Sequence, residues 1–373
     1  MAKFIRIILA ALLPILVPSC SDDIPGTGDK PQVSRTVLVY MIATNSLSGY
    51  SRTDIEEMVV GMSQVATTGG SLLLYEVSYD AYPTLYSITP DGKQAIKTYS
   101  PDTRSTTVER MAEVLADTRA LAPADSYGLV LWSHADGWVK MLEPESVIYY
   151  DRAIRPLDFG IDYDSKMPIT DLAKTIPDGM LDFIYADACY MGCIEIAYQL
   201  REKTRYYISS PTETMANGMP YDQNVPCFFE LEPNLVQACK NTYDYYASRG
   251  SYATISLVDC EKLDTVADIC RAIHQGSGQK QVDTNELQCY NRNSRPVFFD
   301  FLQYTSLLAS QPQADSLYTA TNEAVIYKAA TDRFSTITIQ PENYSGLSTY
   351  VLGASPANEQ YYTMLDWYDK IYN

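Results

Sequence analysis

The chain has 373 residues, enough to bury the core of one large domain or two of ordinary size. Its 46% apolar and 20% charged content is ordinary for a globular protein, and the formal charge is −18. That acidity argues against a nucleic-acid partner, which needs a basic footprint. Taken alone it reads first as the solvated surface of a secreted protein, and it would also favour encounter with cationic substrates.

The first 19 residues read as a signal peptide, with Lys3 and Arg6 ahead of an apolar stretch too short to span a bilayer. Val17-Pro18-Ser19-Cys20 resembles a bacterial lipobox, so Cys20 is the expected lipidation site and outer-membrane lipid anchor. Ser21-Asp22-Asp23 resembles the export signal of surface lipoproteins in Bacteroidetes. The expected location is the cell surface or outer membrane of a Gram-negative bacterium, with residues 20–34 as a tether. With Cys20 lipidated, seven of the eight cysteines remain, and an odd number leaves at least one free thiol. No paired CxxC sets occur, so no zinc site, metal or cofactor is expected.

Residues 35–44 form an apolar run without charges after Arg35, the pattern of a strand buried in a parallel sheet. Residues 53–66 carry helical spacing behind a candidate cap at Ser51-Arg52-Thr53-Asp54. A second strand is expected over residues 71–77, a hairpin over 82–99 around Pro90-Asp91-Gly92, a helix over 107–121 and a buried strand over 126–133. Residues 137–168, with weak periodicity and many Asp, Tyr and Ser, read as a long exposed loop. A short helix (169–175), a strand (181–186), a helix (193–202) and a strand (206–210) follow. Beyond them come a strand over 252–258, a helix over 261–274, further helices and a late strand near 347–352. Alternating strands and helices define an α/β fold with a mostly parallel sheet flanked by helices, plus a smaller, mainly helical C-terminal part.

Two strand ends carry the chemistry. One delivers Ser133-His134-Ala135-Asp136-Gly137-Trp138; the other delivers Asp187-Ala188-Cys189-Tyr190-Met191-Gly192-Cys193. The chain has only two histidines, and His274 sits on a predicted helix as a structural or exposed residue. A thiol attacks as thiolate, so a strand-to-helix turn at Cys189 and an imidazole at His134 suit a cysteine nucleophile with its acid/base. Backbone N–H groups of Cys189 and near Ala135 would serve a developing oxyanion. Taken singly, a buried Cys is more often an inert small hydrophobe and a lone His a structural residue.

These two neighbourhoods resemble the clostripain family, the C11 cysteine peptidases of the caspase-like clan. Supporting matches are Val39-Tyr40-Met41 with Asn45-Ser46-Leu47, Ser210-Pro211-Thr212-Glu213 with Gly218-Met219-Pro220-Tyr221, and Gly346-Leu347-Ser348-Thr349-Tyr350. The resemblance implies a caspase-like three-layer core over residues 35–258 and a C-terminal helical subdomain over 259–373. It implies an endopeptidase cutting protein or peptide substrates after Arg or Lys; a monomer is expected. Cys189 would be nucleophile and His134 acid/base, while Asp187 would line the pocket for the basic side chain; Asp187 as a helix cap is the alternative. Glu213 and Asp222 are further pocket candidates.

Ala135 stands where the family usually has Gly; if that position needs positive φ, the oxyanion donor is displaced. Asp136 is expected to raise the His134 pKa. The family habit of self-cleavage in the loop between His and Cys points to Arg152, because Arg155 precedes a proline. The alternative function is a catalytically silent surface lipoprotein that binds peptides or polymers. A generic cysteine hydrolase, such as an amidase, fits the two motifs but not Asp187.

Overall fold

The computed structural model describes residues 33–65, 70–139, 159–278, 280, 282–291 and 296–373. Strand β1 (Val33–Ile42) is followed by helix α1 (Ser51–Met62), β2 (Ser71–Ser78) and the hairpin β3 (Ala81–Thr89) and β4 (Gly92–Thr98). Helix α2 (Val108–Leu121) leads into β5 (Ala124–Trp132), the small hairpin β6 (Phe159–Asp162) and β7 (Ser165–Met167), and helix α3 (Ile169–Thr175). Then come β8 (Leu181–Asp187), α4 (Ile194–Leu200), β9 (Thr204–Ser209), α5 (Tyr221–Phe228), α6 (Leu235–Ala247), β10 (Thr254–Asp259) and α7 (Leu263–Ser277). The C-terminal part holds β11 (Phe299–Asp300), α8 (Phe301–Leu308), α9 (Gln311–Ala324), β12 (Val325–Ala330), β13 (Arg333–Phe334), β14 (Ile337–Thr338), β15 (Ser348–Thr349), α10 (Pro356–Tyr362) and α11 (Asp366–Tyr372).

Nine strands form one sheet in the order β12-β10-β9-β8-β5-β1-β2-β3-β4. The five central strands are parallel, and antiparallel strands close both edges. Period-two alternation explains the two cores. Leu38, Tyr40 and Ile42 of β1 join the layer containing Met111, Val114 and Leu115 of α2. Val37, Val39 and Met41 join Met58 of α1 and Val225 of α5 on the opposite face. Both faces of a parallel sheet are covered, so the strand is apolar throughout rather than alternating. Each fully buried Met or Leu here stabilises by about 1.5–3 kcal/mol. Thr107 begins α2 by accepting Arg110 N–H on its hydroxyl at 3.3 Å.

The register positions the site. Trp132 pairs with Asp187 across β5 and β8. His134 and Cys189 each lie two residues further on, so neighbouring parallel strands deliver them to one sheet edge. From β1 the chain runs to β2 on one side and returns to β5 on the other, which opens a crevice at that edge.

Three expectations change. Residues 159–167 are not part of an exposed loop: β6 and β7 bury Phe159, Asp162 and Met167. Asp162 explains this, since its carboxylate accepts Thr44 Oγ1 and Ser105 N–H, both at 2.7 Å, and pins the hairpin to the end of β1. Helix α1 is not capped by a side chain from residues 51–54; Tyr50 is its N-cap residue, and Asp54 is turned inward. The late strand is only two residues long. It bridges to Cys193, and Thr349 Oγ1 and Tyr350 N–H donate to the buried Glu195 carboxyl at 2.7 and 2.9 Å. Trp138 packs on Tyr350 and Tyr362, with ring centroids 5.3 and 5.2 Å away. The C-terminal segment therefore braces the segments following both key strand ends.

Candidate active site

A cavity of about 110 Å³ opens at the carboxyl edge of the central strands. His134 and Cys189 line it together with Asp187, Trp132, Thr214 and Gly218. A larger open cavity of about 440 Å³ is lined by Tyr79, Arg104 and Tyr163, and among the described residues neither Cys nor His borders it.

Cys189 sits in the turn between β8 and α4. The turn is held to the segment after β9 by Tyr190 N–H to Thr212 O and Gly192 N–H to Ser210 O, each 2.8 Å. Tyr190 takes a left-handed φ of 57° and stacks on Phe298 with centroids 5.2 Å apart. The thiol sulfur accepts Thr214 N–H at 3.2 Å and approaches Thr214 O at 3.7 Å. Burial pushes this thiol up to about 12; the Thr214 N–H pulls it down, and the charges of Glu213, Asp136 and Asp187 push it further up. Helix α4 begins at Ile194, with Cys193 as its N-cap residue.

His134 sits where β5 ends. Its Nε2 lies 2.8 Å from Ser46 Oγ, in the turn after β1. Among the described residues, no hydrogen bond joins His134 to Cys189: the ring is engaged by Ser46 and the thiol by Thr214. Burial lowers the His134 pKa below its ordinary value, while the Asp136 carboxylate raises it and Lys166 lowers it. The expected rise from Asp136 is thus outweighed. Lys166 contributes to this by pairing with Asp136 at 3.2 Å. A neutral imidazole beside a neutral thiol has the proton inventory a general base and its nucleophile start from.

Ala135 does not take positive φ; Gly137 makes the left-handed turn instead, at φ 71°. The conformational objection to Ala135 therefore falls away. Asp187 is 5% exposed and accepts Met219 N–H and the Tyr221 hydroxyl at 3.1 Å each. Those partners belong to the 218–221 segment rather than to α4, which removes the helix-cap alternative. Burial pushes its carboxyl up to about 6. Glu213 is half-buried and lies outside the cavity lining, and so does Asp222. His274 packs against Tyr372, centroids 5.0 Å apart, and burial lowers it to about 4, as suits a structural residue. Cys20 and Arg152 lie outside the described residues. All seven remaining cysteines are free thiols, and among the described residues no cluster of metal ligands occurs.

Four residues at the site had no site role assigned from sequence: Ser46, Trp132, Thr214 and Asp54. Asp54 is 1% exposed and accepts Trp132 Nε1–H at 2.7 Å. Its only sequence signal was an acidic residue in the first turn of a helix, which reads as a cap.

The chain compares with known proteins over nearly its whole length. The family profile described as the Clostripain family matches residues 39–371. An inactive zymogen C11 protease from Parabacteroides distasonis is 32% identical, with TM-score 0.79, covering 92% of this chain and 100% of that one. A secreted C11 cysteine protease from Bacteroides thetaiotaomicron, solved with an irreversible peptide inhibitor, is 30% identical, with TM-score 0.78 and coverage of 91% and 98%. A further secreted C11 protease of that organism is 23% identical at TM-score 0.78, covering 91% of this chain and 100% of its own, and supports the fold alone. Comparison with the curated proteins returns no significant match. With the α/β layers, the crevice and both strand-end motifs in place, the chain belongs to the clostripain family and is a cysteine-type peptidase with the caspase-like fold.

Proposed function

We propose that this peptidase is an endopeptidase that cleaves after Arg or Lys, with Cys189 as nucleophile and His134 as general base and then acid. The observation that carries this reading is the convergence of Cys189, His134 and Asp187 on one cavity of about 110 Å³. His134 accepts the Cys189 proton, the thiolate attacks the carbonyl carbon, and the imidazolium returns the proton to the leaving amine. Backbone N–H groups of Cys189 and Ala135 are the proposed donors to the developing oxyanion. Asp187 receives the guanidinium or ammonium of the substrate, a charge-assisted contact. Glu213 acts from outside the cavity, through its charge on the thiol.

The resting arrangement favours latency. A thiol pushed up to about 12 and an imidazole bonded to Ser46 have to be brought together before chemistry. Self-cleavage at Arg152 is the proposed trigger, and the 32% identical relative described as an inactive zymogen supports it. Attachment through a lipidated Cys20 to the outer membrane or cell surface completes the proposal; the 30% identical relative is described as secreted.

The test is turnover of fluorogenic peptides ending in Arg, Lys, Asp or Leu by wild type and Cys189→Ala. Cleavage after Arg and Lys, lost in the variant, is expected. Turnover after Asp alone would remove the role of Asp187, and none on any peptide would favour a silent binding protein. Mass spectrometry of the mature N-terminus checks Cys20: an unmodified start downstream of it would refute the anchor.

A further inference from the structure

Asp54 takes no part in the proposed chemistry. Asp54 from α1 and Asp187 from the end of β8 are 1% and 5% exposed. A Cβ on Gly218, in the cavity wall, would stand 2.6 Å from Asp187 Oδ2 and 3.4 Å from Asp54 Oδ2. Both carboxyl oxygens therefore flank one point, and glycine leaves it open. Trp132 Nε1–H holds Asp54 Oδ2, while Met219 N–H and the Tyr221 hydroxyl hold Asp187 Oδ2.

Among the described residues, no cation offsets either carboxyl. Asp54 is influenced by Asp187, Trp132 and Glu57, and Asp187 by Met219 and Tyr221. Tyr221 of α5, Tyr246 of α6 and Tyr185 of β8 face the pair as neutral phenols. Glu57 accepts Tyr221 N–H at 3.1 Å; Asp222 and Arg249 act on Glu57. Burial and the neighbouring Asp187 push Asp54 up to about 8, and burial pushes Asp187 up to about 6. Two buried carboxylates that lack a counter-ion resist ionising together, so near neutral pH the pair retains a proton.

We propose that Asp54 and Asp187 titrate as one coupled carboxylate pair that retains one proton, and that a cationic side chain entering the cavity displaces that proton to solvent. Charge balances: a pair with one proton carries −1, and a fully ionised pair with one bound cation carries −1. A neutral side chain cannot make this exchange. Asp54 is thereby a specificity-determining residue acting through Asp187. The inference rests on the cationic-side-chain reading of the cavity given above.

The experiment uses the active enzyme and agmatine, a guanidinium without a scissile bond, as competitive inhibitor of an Arg-peptide assay. Its Ki is measured from pH 5.5 to 8.5 for wild type, Asp54→Asn and Asp187→Asn. His134 titrates in all three proteins and cancels in the comparison. In wild type, agmatine should bind about tenfold tighter at pH 8 than at pH 6.5. Asp54→Asn should flatten that limb, although Asn retains an oxygen for the Trp132 N–H. Calorimetry on wild type in two buffers of different ionisation enthalpy should find about one proton released per agmatine at pH 7. No release, or a wild-type limb in Asp54→Asn, would overturn the pair. Unchanged agmatine binding in Asp187→Asn would instead overturn the underlying cationic-pocket reading.

Discussion

The cavity has two sides, and burial acts on both in the same direction with opposite chemical results. On the reacting side, burial keeps His134 neutral, which makes it a base, and keeps Cys189 a thiol, which makes it unreactive. On the proposed recognition side, burial raises Asp54 and Asp187, which on the reading above would mute the cation site until a cation arrives. Under the proposed mechanism, one low-dielectric environment would store readiness at the imidazole and latency at the other three groups. Tuning differs as well. The reacting side is adjusted by an exchangeable ion pair, Asp136–Lys166, at partial exposure. The recognition side has fixed dipoles from Trp132, Met219 and Tyr221 instead.

The comparison breaks most readily at the reacting side. Cys189→Ala and His134→Ala should each lower kcat/KM for Arg peptides by about 10³-fold or more, measured against wild type on the same substrate. A residual rate within tenfold of wild type in either variant would move the chemistry elsewhere. On the recognition side, Asp187→Asn should cost about 2–3 kcal/mol of binding to the cation, or roughly 30- to 150-fold in kcat/KM. A loss confined to kcat at saturating substrate would argue that Asp187 serves the reacting groups instead.

A subtler contrast comes from Lys166→Met. Removing Lys166 leaves the Asp136 carboxylate uncompensated, so the His134 pKa rises. The acidic limb of the kcat/KM profile should shift upward by about 0.5–1 pH unit, and Asp136→Asn should shift it downward. An unmoved limb in both variants would disconnect the ion pair from His134.

The smallest effect is on stability. Asp54 and Asp187 have folded values raised above the unfolded value of about 3.9, so their contribution is fully present below pH 4. It is lost as pH rises through about 6 for Asp187 and about 8 for Asp54. Asp54→Asn should therefore raise Tm at pH 8 by roughly 2–6 °C, with the gain shrinking toward pH 5 in thermal melts. Equal melting shifts at both pH values would show that Asp54 carries no buried charge. Such a stabilised but less selective variant would be a local instance of stability traded for function.

Most central strands were legible because a covered parallel strand is written as an unbroken apolar run, as in residues 37–43. Helices α5 and α6 left a weaker signal: α5 carries Pro226 inside it, and α6 spreads polar residues along much of its length. The hairpin at 159–167 was read as exposed loop because one buried carboxylate, Asp162, pins it in place of an apolar pattern. At the site, His134, Cys189 and Asp187 could be named from two strand-end motifs. Ser46 and Thr214 could not, since each contacts its partner through a loop whose path the motif does not encode.

By itself the sequence determined the α/β class, the family resemblance and the residue types able to supply a thiol, an imidazole and a carboxyl. Local patterns suffice there, because strand burial and strand-end chemistry are written in consecutive residues. Only the tertiary structure decided that Trp132 pairs with Asp187 in register, that Ala135 is unstrained, and that Asp54 meets Asp187 at Gly218. Those outcomes depend on how α1, β5, β8 and the 218–221 segment pack together. The electrostatics of a buried group follow from everything within a few ångströms, most of which is distant in the chain.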